Sequence, residues 1–400
     1  MSLYKYKISY MRFLKKLFKK TVPKVIAGIF ILVFLLSIFV FWGWYVKQVN
    51  KLWGLYYVNE GDKAYRSHKL EKAIKFYKQG LEKYPEHSLA RCNLGNIYVK
   101  YEDYYSAVEQ YEEALKYDPK FIVCRMNLGI VSAEKLSDFD KAIREYQTII
   151  DTNRVTVHIP LIFDSVKSTR ENKTIAWYNM GLAYRGKSML LGEKTHASND
   201  YLEKAIDAYK KALKRKKNSY NINYNYALAN HIFGNYKEAG LSYCKAIEEE
   251  PMAFDAHYNL AILLRKLGKL RESQEELEKA MLIVNTQQNP YIAKYIFDIY
   301  SEVIEKSTIQ NEFKTTQRGI APESQIKEGM KTPHIVSEEV ENEDDPLGVN
   351  HITYVNGKVV ADSEEADKFM KKSFKKCTAK KIFEEYEEDT LYNGRYDRSF

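Results

Sequence analysis

The sequence predicts an all-α chain. A solenoid of about six helix pairs with a capping helix is preceded by one transmembrane helix and followed by a small hairpin-plus-helix module. Three observations predict it. An Asn-x-Gly or Asn-x-Ala pair recurs six times, each followed about twelve residues later, or more where residues are inserted, by Ala or Ser. Residues 25–46 form a 22-residue run without a charge. Near the C-terminus, His351–Val360 alternates around Asn356-Gly357, the strongest short signal for a hairpin.

Residues 1–24 are basic and are expected to stay in the cytoplasm. Residues 1–53 hold ten of the 62 Lys and Arg and no acid, leaving 52 basic against 53 acidic side chains elsewhere. A nucleic-acid binder needs its basic excess on a folded face. Here the excess flanks an apolar run, so no nucleic-acid partner is expected and the charge reads as a topology signal. The run 25–46 is expected to be a signal anchor that places the chain in the bilayer. As a helix it reaches about 33 Å, against a hydrocarbon core of about 30 Å. Trp42, Trp44 and Tyr45 crowd its far end, as aromatic belts do. Eight Lys or Arg precede the run and only Lys47 and Lys51 follow closely. The positive-inside rule therefore predicts a single-pass protein of the cell membrane with residues 47–400 outside the cytoplasm, periplasmic in a Gram-negative cell.

The repeats follow over residues 54–306. The small residues Gly61, Gly95, Gly129, Gly181, Ala227 and Ala261 are predicted to mark the crossing of two antiparallel helices. Ala73, Ala107, Ala142, Ala205, Ala239 and Ser273 are expected to face them, with large residues such as Leu94, Tyr98 and Tyr111 around. Pro85, Pro119 and Pro251 end the second helix. One such unit cannot bury its apolar face alone, so units must stack. Insertions at 152–173 and 186–200 are expected to emerge as loops. Residues 290–306 read as the capping helix.

These spaced positions resemble the tetratricopeptide repeat family over about residues 54–285. The resemblance implies a right-handed solenoid whose first helices line a concave groove for protein or peptide ligands. Asn59, Asn93, Asn127, Asn179, Asn225 and Asn259 hold the sixth place of their units. Some family members bind an extended peptide through such a row, which makes these asparagines groove candidates. Tyr178, Tyr224 and Tyr258 stand one place earlier, and Arg185 and Arg265 are the basic candidates. Another family mode clamps a peptide carboxylate with Lys or Arg. The second place of every unit lacks them, which disfavours a clamp.

Residues 307–345 read as a flexible acidic linker and 346–400 as the small C-terminal module, with a helix over Asp362–Glu388. The module is expected to dock on the solenoid, on a partner, or back into the groove. Cys92, Cys124, Cys244 and Cys377 show no ligand spacing and read as small apolar packing residues, so no metal or cofactor is expected. No nucleotide-binding, zincin or serine-hydrolase motif appears, and the chain is expected not to be an enzyme. The expected role is a membrane-anchored interaction scaffold or chaperone-like adaptor. An organelle import or chaperone-docking receptor with cytosolic repeats stays open as the alternative.

Overall fold

The structure is a computed structural model. It describes residues 24–26, 28–37, 40–159, 162–167, 170–192, 195–286, 292, 295–307, 335–341, 349–355, 358–360, 368 and 371–386. Two units partition the chain: residues 1–127 with 156–164, and 128–155 with 165–400.

In the first unit, α1 (Lys24–Ser37) and α2 (Trp42–Arg66) meet at 73°. Then come α3 (Leu70–Lys83), α4 (Ser88–Lys100) and α5 (Tyr104–Tyr117). Helix α6 (Ile122–Glu134) begins in this unit and ends in the second. The second unit continues with α7 (Phe139–Asp151), α8 (Arg170–Leu190), α9 (His196–Leu213) and α10 (Tyr220–Phe233). Helices α11 (Tyr236–Glu249), α12 (Phe254–Lys266) and α13 (Leu270–Thr286) complete the pairs, and α14 covers 295–307.

Local chemistry sets the helix ends. Asp103 and Asp138 accept from the backbone N–H of Ser106 and Lys141, and Thr195 accepts from that of Ser198. The turn inside a pair reverses the chain through one residue with positive φ. Gly234 and Gly268 supply it in two repeats without strain, whereas His68, Glu102 and Ser137 adopt it in three others.

The pairs close over tyrosine rings. A Cβ added to Gly61, Gly95, Gly129 or Gly181 would lie 2.5–2.8 Å from the ring of Tyr77, Tyr111, Tyr146 or Tyr209 respectively. Each of these tyrosines is buried. The aromatic ring four residues beyond the alanine, rather than the alanine itself, is thus what the glycine admits. Ala73, Ala107, Ala142, Ala205 and Ala239 are fully buried beside these contacts. Ser273 replaces the alanine in the last pair and donates its hydroxyl to the Ala261 carbonyl at 2.8 Å.

The structure departs from the sequence reading in four places. Among the described residues no single helix is long and apolar enough to cross a membrane; α1 and α2 meet that measure only as a bent pair. The bend lies beside Ser37, whose hydroxyl donates to the Phe34 carbonyl, a contact that bends helices. The insertion at 152–173 holds paired strands, β1 (Arg154–Ile159) and β2 (Ile162–Lys167), because its alternating β-branched residues suit extended backbone. The insertion at 186–200 mostly lengthens α8 and α9, whose Ser188 and Ser198 hydroxyls meet at 2.7 Å in a buried contact.

The fourth departure is C-terminal. Residues 308–334 and 342–345 of the expected linker lie outside the described residues, but β3 (Ile335–Glu341) falls within it. It pairs antiparallel with β4 (Val349–Val355), which pairs with β5 (Lys358–Val360) through Val355 and Lys358. The acid count of 337–345 masked the Ile and Val that favour extended chain. The helix read over 362–388 is interrupted at Cys377, and α15 is short (Lys380–Glu385). Cys377 is bonded to Cys244 of α11, which corrects the reading of these cysteines as packing residues. Cys92 and Cys124 are buried free thiols.

Around that bond the tail packs onto the second unit. Phe383 is fully buried against the open face of Gly240. Phe374 lies edge-on to His257, ring centroids 5.9 Å apart. Beneath it Glu276 takes a 2.6 Å contact from His257 Nδ1 and another from Lys279. Burial alone would raise the Glu276 pKa, but these two partners hold it down to about 2.

The disulfide closes a loop of 133 residues. Cys377→Ser is expected to lower stability by about 3–5 kcal/mol, read as a fall in the urea midpoint. It should also make residues 371–386 the first site cut by limited proteolysis. An unchanged midpoint and cleavage pattern would show that packing alone holds the tail.

Candidate functional site

The first helix of each pair carries the candidate side chains, and within each unit they form hydrogen bonds between neighbouring repeats. In the first unit, Asn93 Nδ2 reaches Asp62 Oδ1 at 3.3 Å and the Tyr77 hydroxyl at 3.4 Å. Tyr77 itself donates to Asp62 at 2.6 Å. One repeat on, Asn127 Nδ2 donates to Asn96 Oδ1 at 2.9 Å, and the same oxygen takes the Tyr111 hydroxyl at 2.7 Å. Asp62 and Asn96 hold the ninth place of their repeats. Each is an acceptor shared between its own buried tyrosine and the asparagine of the next repeat.

The second unit uses a different acceptor. Leu182 and Leu228 occupy the ninth place there. Asn225 Nδ2 instead donates to the Tyr178 hydroxyl at 3.1 Å and to the Asn221 carbonyl at 2.9 Å. Asn259 Nδ2 donates likewise to the Tyr224 hydroxyl at 3.0 Å and to the Asp255 carbonyl at 2.9 Å. Both hydrogens of each amide are engaged. Asn225 and Asn259 therefore tie repeats together and have no donor left for a peptide backbone. Asn179 is half-buried on α8. Sequence spacing located the row, but Asp62 and Asn96 escaped notice; their common place in the repeat was the available signal.

The loss of the ninth-place acceptor leaves polar atoms open. The Tyr209 hydroxyl is buried with no acceptor and has only Arg185 as a polar neighbour, and the Tyr220 hydroxyl, at the first place of its repeat, is also buried without a hydrogen-bond partner. Tyr209 lies 6.1 Å from the Tyr178 ring, and Tyr220 stacks on Tyr224 at 5.6 Å and 12°. Burial raises the pKa of Tyr178, and burial with the Asp255 charge pushes Tyr224 up to about 12. Arg185 opposes this at both residues, and at Tyr209 and Tyr243 as well. Arg185 is half-buried on α8, and no acidic partner for it is found among the described residues.

Arg265 is different. It pairs with Glu302 of α14 at 2.8 Å. Tyr258 meets the Tyr295 ring at 6.0 Å. Ile296 and Val303 bury against Ala261, Leu277, Ala280 and Val284. The capping helix therefore occupies the candidates of the last repeat, while Tyr178, Arg185 and Tyr224 keep theirs. The tail contacts described above involve α11, α13 and the start of α12, not the asparagine row.

This periodic architecture has recognised counterparts. Models of the tetratricopeptide repeat match residues 88–121, 197–250 and 254–283. These three segments are similar to tetratricopeptide repeats. A curated relative, the BBSome complex member BBS4 of Bos taurus, is 24% identical over 212 residues, covering 53% of this chain. The chain spans about a third of that relative's length, 35%. Similar solved structures include the MamA protein, at 22% identity and TM-score 0.40, covering 50% of this chain and 92% of that one. Another is YrrB, described as a TPR protein with an unusual peptide-binding site, at 22% identity and TM-score 0.39, covering 50% and 88%. Tetratricopeptide repeats support a role in protein–protein interaction, and the rungs described above are how this chain joins its own.

Replacing Asn225 or Asn259 with Ala removes one inter-repeat bond each. A loss of about 1 kcal/mol in urea unfolding is expected for either. Stability equal to that of the parent chain would return these amides to the list of ligand contacts.

Proposed function

We propose that this chain is a membrane-anchored scaffold or adaptor that binds peptide segments carrying an acidic group at Tyr178, Arg185 and Tyr224. One observation carries this reading. Arg185 is a half-buried cation on α8 with no acidic partner among the described residues, while Arg265, Asn225 and Asn259 are engaged within the fold. A carboxylate there gains a charge-assisted bond in a partly dehydrated setting. The aromatic faces of Tyr178 and Tyr224 supply contact area.

The repeats stand outside the cytoplasm in this proposal. The flanking charges of the uncharged run support that orientation. The Cys244–Cys377 bond adds to it, since such bonds persist in oxidising compartments. The same bond argues against a receptor with repeats in the cytosol. Protease added to intact cells or spheroplasts should degrade residues 54–400; their protection would overturn the orientation.

Binding is tested with the full chain in detergent and a panel of extended peptides that differ only in acidic, neutral or basic side chains. Acidic peptides should bind most tightly, and Arg185→Ala should weaken them about ten-fold, roughly 1.4 kcal/mol. Equal binding by Arg185→Ala, or no preference for acid, would remove the site.

A further inference from the structure

Helix α2 has two faces. Gly54, Val58, Gly61 and Ala64 are buried against the first repeat. Gly54 sits so close that an added Cβ would lie 2.5 Å from Tyr84 Cβ. On the side turned away, Trp42, Tyr45, Val49, Leu52, Trp53 and Tyr56 recur at helical spacing, and all are exposed. Trp53 and Tyr56 pack edge to face, centroids 6.0 Å apart, without leaving the surface. Lys47 and Lys51 are not on this stripe. Lys47 reaches Glu86 at 2.9 Å and Lys51 lies over the Tyr84 ring at 4.9 Å, both toward the repeat.

A stripe four turns long with six apolar or aromatic members is a poor surface for water. Its composition and place indicate what covers it. Four of the six are Trp or Tyr, which favour the headgroup boundary, where one end of the ring is dry and the other wet. The stripe continues directly from the uncharged run 25–46, and no acid occurs before Glu60. The 73° bend separates α1 from α2, so both cannot lie along the bilayer normal.

We infer that the exposed face of α2, from Trp42 to Tyr56, lies in the headgroup region of the bilayer and seats the first repeat on the membrane surface. The inference rests on the membrane-anchored reading and adds a second contact to it. The anchor holds the chain at the membrane, and the stripe fixes how the repeats leave it. Such a helix binds through buried apolar area in the interfacial plane.

The test uses the full chain in vesicles of phosphatidylcholine, with and without phosphatidylglycerol. Trp53 emission is obtained as the difference between the parent chain and Trp53→Phe, a conservative change at an exposed position. Flotation reads anchorage independently. Trp53 should be quenched strongly by lipid brominated near the headgroup, less by lipid brominated deeper, and several-fold less by acrylamide than a free indole. Flotation with Trp53 open to acrylamide would overturn the seating and leave the anchor standing. Shielding from both quenchers would show a second copy on the stripe and overturn it too. A chain that fails to float defeats the anchor and, with it, this inference.

Discussion

The close approach of a tyrosine ring to a glycine is the constraint on which the repeats depend. Four glycines on first helices face four buried rings on second helices at distances that exclude any side chain. The ring sets the spacing of each pair, and its hydroxyl is then delivered to one place on the first helix. What stands there decides the local chemistry. Asp62 and Asn96 accept it and pass the bond to the next repeat. Where leucine stands instead, the asparagine turns to a neighbouring tyrosine, and Tyr209 is left without an acceptor.

That change links packing to function. An unpartnered hydroxyl in a buried setting costs stability. A ligand with an acceptor group offsets that cost. In the function proposed above, Arg185 adds the charge that selects an anionic acceptor over a neutral one. The candidate site is thus a break in an otherwise regular hydrogen-bond pattern, and local departures of this kind are where sites are to be sought in repeat proteins.

The tail bears on the fold in another way. Phe374 and Phe383 cover apolar surface on α11, α12 and α13, and the Cys244–Cys377 bond ties that cover to α11. The charged group of His257, Glu276 and Lys279 beneath Phe374 is kept from water by the same contact. Removal of the tail would expose both.

The sequence by itself determined the helix pairs, their small-residue places and the asparagine row, because these recur at fixed spacing and short-range geometry enforces them. It also located the antiparallel pairing of β4 with β5, in which Val355 faces Lys358. Tertiary structure alone decided the rest. Whether an asparagine faces a ligand or a neighbouring repeat depends on the acceptor that packing brings to it, as the contrast of Asn96 with Tyr178 shows. Whether two cysteines 133 residues apart are packing residues or partners depends on where the chain returns. Spacing along a sequence records local periodicity, and contacts across such distances leave no periodic trace.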